Sequence, residues 1–298
     1  MKLSKCLIFL ISMISLAVTF GCGGSGGGDG GGSSTGTVSM SITDAKPVLP
    51  DNVTNCFVTI DQVLAHSPGG GWVPLPMVQT PYTIDLLEFT DGISTEFVPP
   101  ADIPVGKYTQ IRLSVTEATL RFLYPAAGLE PERTEDVTVT IPSENLKTDK
   151  NFNFEVTGTE PAAVDITIDF DLSKSIVVEG PAATPSYKLK PVLHIVETAE
   201  AATIKVTITN SNFDLAQNAW ITVLSKDANG SYTEEYTKVE VTRHDPPGTT
   251  IFSIFWIVPN QDYLVQVDYN PTVADGSEQE QEVLAGNVGP GEIADVNF

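Results

Sequence analysis

The chain of 298 residues has only three histidines and three cysteines. His66, His194 and His244 stand far apart, and none sits in an HExxH spacing. SxxK, P-loop and CxxC patterns are missing as well, and GxSxG occurs only as Gly23 to Gly27 within a Gly-rich run, outside any strand-to-helix context that would make Ser25 a nucleophile. That leaves little material for a histidine-based triad, a zinc site or a disulfide framework. Basic residues are also scarce, 16 against 38 acidic ones, for a net charge of −22. Nucleic acids and anionic membrane surfaces are held through Lys and Arg, so a surface this acidic excludes nucleic acid as a partner. After residue 20 no long apolar run occurs, and no stretch keeps a convincing helical period.

The one long apolar run comes first. Met1 to Lys5 form a short basic start, and Leu7 to Phe20 are apolar except for Ser12, Ser15 and Thr19. Gly21-Cys22 follow, and then fourteen residues, Gly23 to Gly36, made of Gly, Ser, one Asp and one Thr. A basic segment, an apolar segment and a small residue at the cut form a secretory signal. The run is too short for a comfortable transmembrane helix, which needs about 20 apolar residues. Gly21-Cys22 before a flexible spacer resembles a bacterial lipobox. The resemblance implies cleavage after residue 21 and acylation of Cys22, with Gly23 rather than Asp directing the protein to the outer membrane. Losing Lys2 and Lys5 with no acid takes the net charge from −22 to −24. Cys6 would leave with the signal, which isolates Cys56 as a small buried hydrophobe within a strand.

The remainder reads as all-β, with alternating runs split by Gly, Pro, Asn and Asp about every ten residues. The length fits two sandwiches of immunoglobulin-like or transthyretin-like type, because a seven-strand sandwich takes about 100 residues. The expected order is signal 1–21, lipidated Cys and tether 22–36, a first sandwich 37–197 and a smaller one 202–298. Tyr82 to Phe89 reads as another apolar stretch of this β pattern, and Tyr187 to Val196 closes the first domain. Ser143 to Thr148 and Thr198 to Ala202 read as single helical turns. Asp227-Ala228-Asn229-Gly230 reads as a hairpin turn.

Few residues stand out as candidates for chemistry. In Asp165 to Leu172 the apolar residues share one face, while Asp165, Thr167, Asp169 and Asp171 share the other. That ladder is either a weak calcium candidate or the solvated face of a sheet. The solvated face is the expectation, because calcium loops crowd oxygen ligands into a Gly-containing turn. With Glu155 the same acids are the material for a glycosidase-type pair. Trp72 follows a Gly-rich turn and Tyr124 precedes Pro125, so either could stack on a sugar or pack inward. Trp220 and Trp256 lie in apolar runs and read as core.

Four ordered motifs carry a family resemblance. Ser41-Ile42-Thr43-Asp44-Ala45 opens the first domain, Ile84-Asp85-Leu86-Leu87 follows, and Tyr187-Lys188-Leu189-Lys190-Pro191 closes it. The most recognisable is Ile103-Pro104-Val105-Gly106-Lys107-Tyr108-Thr109-Gln110-Ile111-Arg112-Leu113. Over about 37–197 they resemble a bacterial lipoprotein family known as domain of unknown function 4382. The resemblance implies an exported, often lipid-anchored protein, and brings no activity and no site residues. Phe255 to Val265 is similar to the hairpin of carboxypeptidase-regulatory-like β-sandwich modules, and a related Pro–turn–Tyr pattern occurs at Ile103 to Tyr108.

Together these readings lead to one expectation: a lipid-anchored envelope protein with a non-enzymatic role and no cofactor. Its partners would be the membrane, through the anchor, and an envelope protein or a glycan.

Overall fold

The structure is a computed structural model. It describes residues 34–44, 49–50, 52–67, 69–127, 130–142, 145–147, 153–158, 163–181, 183–209, 218–242, 249–269 and 280–298. The signal, Cys22 and most of the tether lie outside the described residues, as does His244. No helix among the described residues is long and apolar enough to cross a membrane.

Among the described residues the first half holds fourteen strands. They begin with β1 (Thr35–Thr43), β2 (Val53–His66), β3 (Trp72–Leu75), β4 (Tyr82–Asp85) and β5 (Thr95–Pro104). Next come β6 (Gly106–Tyr108), β7 (Ile111–Tyr124), β8 (Arg133–Thr140), β9 (Asn145–Lys147), β10 (Phe154–Val156) and β11 (Ala163–Phe170). A single helical turn, α1 (Leu172–Ser175), leads into β12 (Ile176–Glu179), β13 (Ser186–Leu189) and β14 (Leu193–Glu197). One sheet has the order β14-β11-β1-β5, and a larger one runs β12-β13-β8-β7-β2-β3, with β4 on β2 and β9 on β7. Inward residues of the two sheets make one core, including Val38, Ile60, Phe97, Leu113, Leu120 and Ile168.

Among the described residues the second half is a seven-strand sandwich. Its strands are β15 (Ala202–Ile208), β16 (Asn218–Lys226), β17 (Tyr232–Thr242), β18 (Thr250–Ile257), β19 (Gln261–Asp268), β20 (Glu280–Val288) and β21 (Ile293–Asn297). They form sheets β18-β15-β21 and β17-β16-β19-β20 around a separate core that includes Ile204, Val206, Ile221, Val265 and Val296. The protein is therefore all-β, with two sandwiches. The segment Ser33–Phe298 forms one compact unit.

Several expectations about local structure change. The strand from Tyr82 stops at Asp85, because the Asp85 carboxylate accepts from Leu87 N at 3.2 Å and caps a 3-10 turn, Leu86–Glu88. It also accepts from Cys56 N at 2.9 Å. Asn145–Lys147 is a strand on β7 rather than a helical turn. Tyr187 to Val196 is two strands, interrupted at Lys190 and Pro191, since proline cannot donate to a ladder. Strand β5, not expected from the sequence, is an edge strand, where its prolines are tolerated. The turn expected over Thr198 to Ala202 is shorter, a 3-10 turn at Thr198–Glu200, with Ala202 already in β15, and the hairpin at Asp227 occurs as expected. The Asp227 carboxylate accepts from Asn229 N at 2.8 Å and Ser231 N at 2.9 Å, so its charge is committed to its own turn.

The similarity of the two Pro–turn–Tyr hairpins has a physical basis. Tyr108 and Tyr263 are both fully buried. Tyr108 OH donates to the Pro104 carbonyl at 2.8 Å, and Tyr263 OH donates to the Val258 carbonyl at 2.9 Å. Each ring thus fills a core while its hydroxyl ties the strand back across the turn. Asn260 takes φ +62° in the second hairpin, a left-handed position that Asn tolerates better than most residues. Tyr108→Phe and Tyr263→Phe should each cost about 1–2 kcal/mol by urea unfolding, the loss of one buried hydrogen bond. Unchanged midpoints in both variants would show that the hydroxyls do not tie the corners.

Candidate functional site

Strand β11 alternates in sequence but not in exposure. Ile166, Ile168 and Phe170 face the core, as the pattern requires. The opposite face was expected to be wet, yet Thr167, Asp169 and Asp171 are 1 %, 4 % and 0 % exposed. The reason is that the second sandwich and its junction cover the outer face of this sheet. Thr167 Oγ1 meets Thr198 Oγ1 of the junction at 2.9 Å. Only Asp165, nearer the strand start, stays exposed, where it accepts from Ser39 Oγ. The three acids therefore do not converge on one point. Among the described residues no group of three or more His, Cys, Asp or Glu side chains is arranged to hold a metal.

A third buried acid joins the covered pair. Asp44 follows β1, is 2 % exposed, and accepts from Leu172 N at 3.0 Å through Oδ1. Burial and the neighbouring charge of Asp169 push its carboxyl well above the usual range; the Leu172 amide works weakly against them. Asp171 caps α1, accepting from Lys174 N at 3.2 Å. Its other oxygen lies 3.6 Å from Lys174 Nζ and 3.7 Å from His194 Nε2.

The turn α1 then reaches across to the second sandwich. Lys174 Nζ donates to the Tyr236 carbonyl at 2.5 Å and to the Glu235 carbonyl. Ser173 Oγ donates to the Lys238 carbonyl at 3.4 Å. His194 stacks on the Tyr236 ring with centroids 4.1 Å apart, and burial lifts the Tyr236 phenol well above its ordinary value. On the far side, Asp91-Gly92 form a turn with φ +57° and +84°. Gly92 lies under Phe255 so closely that a Cβ there would be 2.8 Å from the ring. At this place β18 bulges: Ile257 pairs with Ala202 and Ile254 with Ile204, and Trp256 sits at φ +60°. Asp44, Asp91, Asp169, Val239, Phe255 and Trp256 all line one small cavity.

The other candidates sit elsewhere. Trp72 is half-buried, with the Arg112 guanidinium 4.0 Å from its ring centroid and His66 at its edge. Tyr124 likewise carries Arg133 at 4.0 Å. Each ring thus has one face covered by a cation. Trp220 and Trp256 are half-buried rather than core, and Lys238 lies 4.1 Å from the Trp220 ring. Glu155 is exposed on β10, away from the buried acids of the seam. Cys56 is buried, and burial followed by the charges of Asp44 and Asp85 raises its thiol strongly. Sequence reasoning missed Asp44, Lys174, His194 and Tyr236. The available signal was local and covered only the cap: an Asp at a strand end is a preferred N-cap residue.

The fold and its seam define a two-sandwich β protein whose most buried charges lie between its halves. The chain belongs to the family described as "Domain of unknown function (DUF4382)", which matches residues 35–191. That match ends before β14, so the second sandwich lies outside it. No curated protein matches the chain. Among solved structures, it is similar to a putative adhesin from Bacteroides ovatus, at 10% identity and TM-score 0.23, covering 89% of this chain and 92% of that one. It is also similar to the fimbrial anchor protein Mfa2 from Porphyromonas gingivalis, at 10% identity and TM-score 0.20, covering 83% and 82%. A leucine-rich repeat protein from Bacteroides thetaiotaomicron matches at 11% identity and TM-score 0.24, covering 89% of this chain. The chain spans 26% of that protein's length.

Lys174→Met should destabilise the protein by about 2–4 kcal/mol in urea unfolding, since it strands two carbonyls and a buried carboxylate. Gly92→Ala should cost about 1–3 kcal/mol through positive φ and the Phe255 contact. Values near zero for both would mean that the seam does not hold the sandwiches together.

Proposed function

We propose that this protein is a lipid-anchored lipoprotein of the bacterial envelope, acylated at Cys22, whose two sandwiches bind a protein partner or act as a structural spacer without catalysis. The observation that carries this reading is how the tether meets the fold. The Gly/Ser run ends in β1, which is hydrogen-bonded on one side to β11 and on the other to β5. An anchor at Cys22 would therefore pull on an interior strand. Fourteen Gly-rich residues give a reach of about 20 Å from the membrane. Several acyl chains on one residue would hold it there stably, where a single chain is marginal.

The seam supports a non-enzymatic role. Asp44 and Asp171 face inward, each accepting from a main-chain amide through one oxygen, and Lys174 lies 3.6 Å from the second oxygen of Asp171. A glycan-binding role draws less support, because Trp72 and Tyr124 each give one face to an arginine. Gly23 after the acylated Cys favours the outer membrane over the inner one.

Metabolic labelling with an alkynyl fatty acid, followed by membrane fractionation, tests the reading. The wild type should carry label in the outer-membrane fraction, and Cys22→Ser should lose at least about tenfold of both label and membrane association. Equal label and equal membrane association in the two forms would overturn it.

A further inference from the structure

The seam contains an imbalance that its structural role leaves unexplained. Asp44, Asp169 and Asp171 are all buried. The cations facing them are Lys174 of α1 and, when protonated, His194 of β14. Lys174 lies 3.6 Å from Asp171 and spends its hydrogen bonds on the carbonyls of Glu235 and Tyr236. Asp44 Oδ2 is different: it is fully shielded and has no hydrogen-bond partner among the described residues. An ionised carboxylate oxygen held that way, beside a second carboxylate, is expensive.

The cavity beside Asp44 narrows what can relieve the cost. Its volume is about 20 Å³, the scale of one water, which is too small for a hydrated metal ion. Trp256 lines the same cavity, and its indole N–H is also buried without a partner among the described residues. The bulge that brings Trp256 to this position holds it at φ +60°, a strained conformation for a bulky residue.

We propose that Asp44 holds a proton in the folded protein and that this proton locks the two sandwiches together. The acidic groups facing Asp44 agree on the direction. Asp169 of β11 and Asp171 beside it disfavour a second negative charge, and Asp91 lines the cavity from its turn. The Cys56 thiol of β2 and the Tyr236 phenol of β17 are both held neutral by burial. From β18 comes the uncharged Trp256 indole. Against them stand the Leu172 amide and, further off, Lys174 and His194. A carboxyl raised by folding contributes stability that is full below the ordinary carboxylate range and is lost as pH rises through its folded value. Loss of the proton would place three negative charges in the seam and push the sandwiches apart along β18.

Two measurements on the full-length chain in detergent micelles test this. The first is amide hydrogen exchange against pH, corrected for the intrinsic chemical rate. In the wild type, protection at Leu172, Lys174 and the amides of β18 should fall by up to about tenfold per pH unit, while Val58 and Leu120 in the first core keep theirs. Asp44→Asn retains the acceptor for Leu172 N and removes the titration, so its seam protection should not change with pH. The same pH course in both proteins would overturn the proposal. The second measurement needs no variant. The infrared spectrum of the folded wild type at neutral pH should show the carbonyl band of a protonated carboxyl, and its absence would overturn the proposal even if Asp44→Asn fails to fold.

Discussion

Strand β11 is buried on both faces, and most of what distinguishes this protein depends on that. One face closes the first core through Ile166, Ile168 and Phe170. The other carries Thr167 and Asp169 and leads to Asp171, side chains that would choose water if the second sandwich were elsewhere. Covering them creates a demand for partners that an exposed sheet face would not have. The structure meets it with short-range devices: an N-cap at Asp171, an amide from Leu172 for Asp44, and a hydroxyl from Thr198 for Thr167.

These devices also explain why the junction is short. Glu197 to Ala202 includes a 3-10 turn and no flexible run, so β14 passes almost directly into β15. A long linker would let the halves drift and expose the acids. A short one lets α1, four residues long, reach Glu235 and Tyr236 with a single lysine. Buried ion pairs of this kind add little net stability, because desolvation offsets attraction. They do specify an arrangement, since moving either half strands a charge. Apolar contact at Gly92 and Phe255 supplies the complementary non-specific part.

Much of the fold was legible in the sequence and the seam was not. Fold class, most strands and the order of the two sandwiches follow from alternation and turn residues, which act locally. The paired tyrosine corners were visible as a repeated pattern, since each depends on residues four or five apart. Boundaries failed where a side chain ended a strand early, as Asp85 and Asp171 do by capping a turn. The acid face of β11 was misread for a deeper reason. Alternation says which residues share a face, but not whether a distant part of the chain covers it. Lys174 and His194 meet on Asp171 through the folding of the first sandwich, and only the docking of the second brings Tyr236 to them.

If the seam joins the sandwiches as described, the body beyond the tether behaves as one mechanical and thermodynamic unit, able to pass a pull from its first strand to its last. Differential scanning calorimetry of the full-length chain tests this most directly. A single transition whose calorimetric enthalpy equals its van't Hoff enthalpy is the predicted result. Two resolved transitions, or a calorimetric enthalpy well above the van't Hoff value, would show that the sandwiches unfold independently and that the buried acids do not couple them.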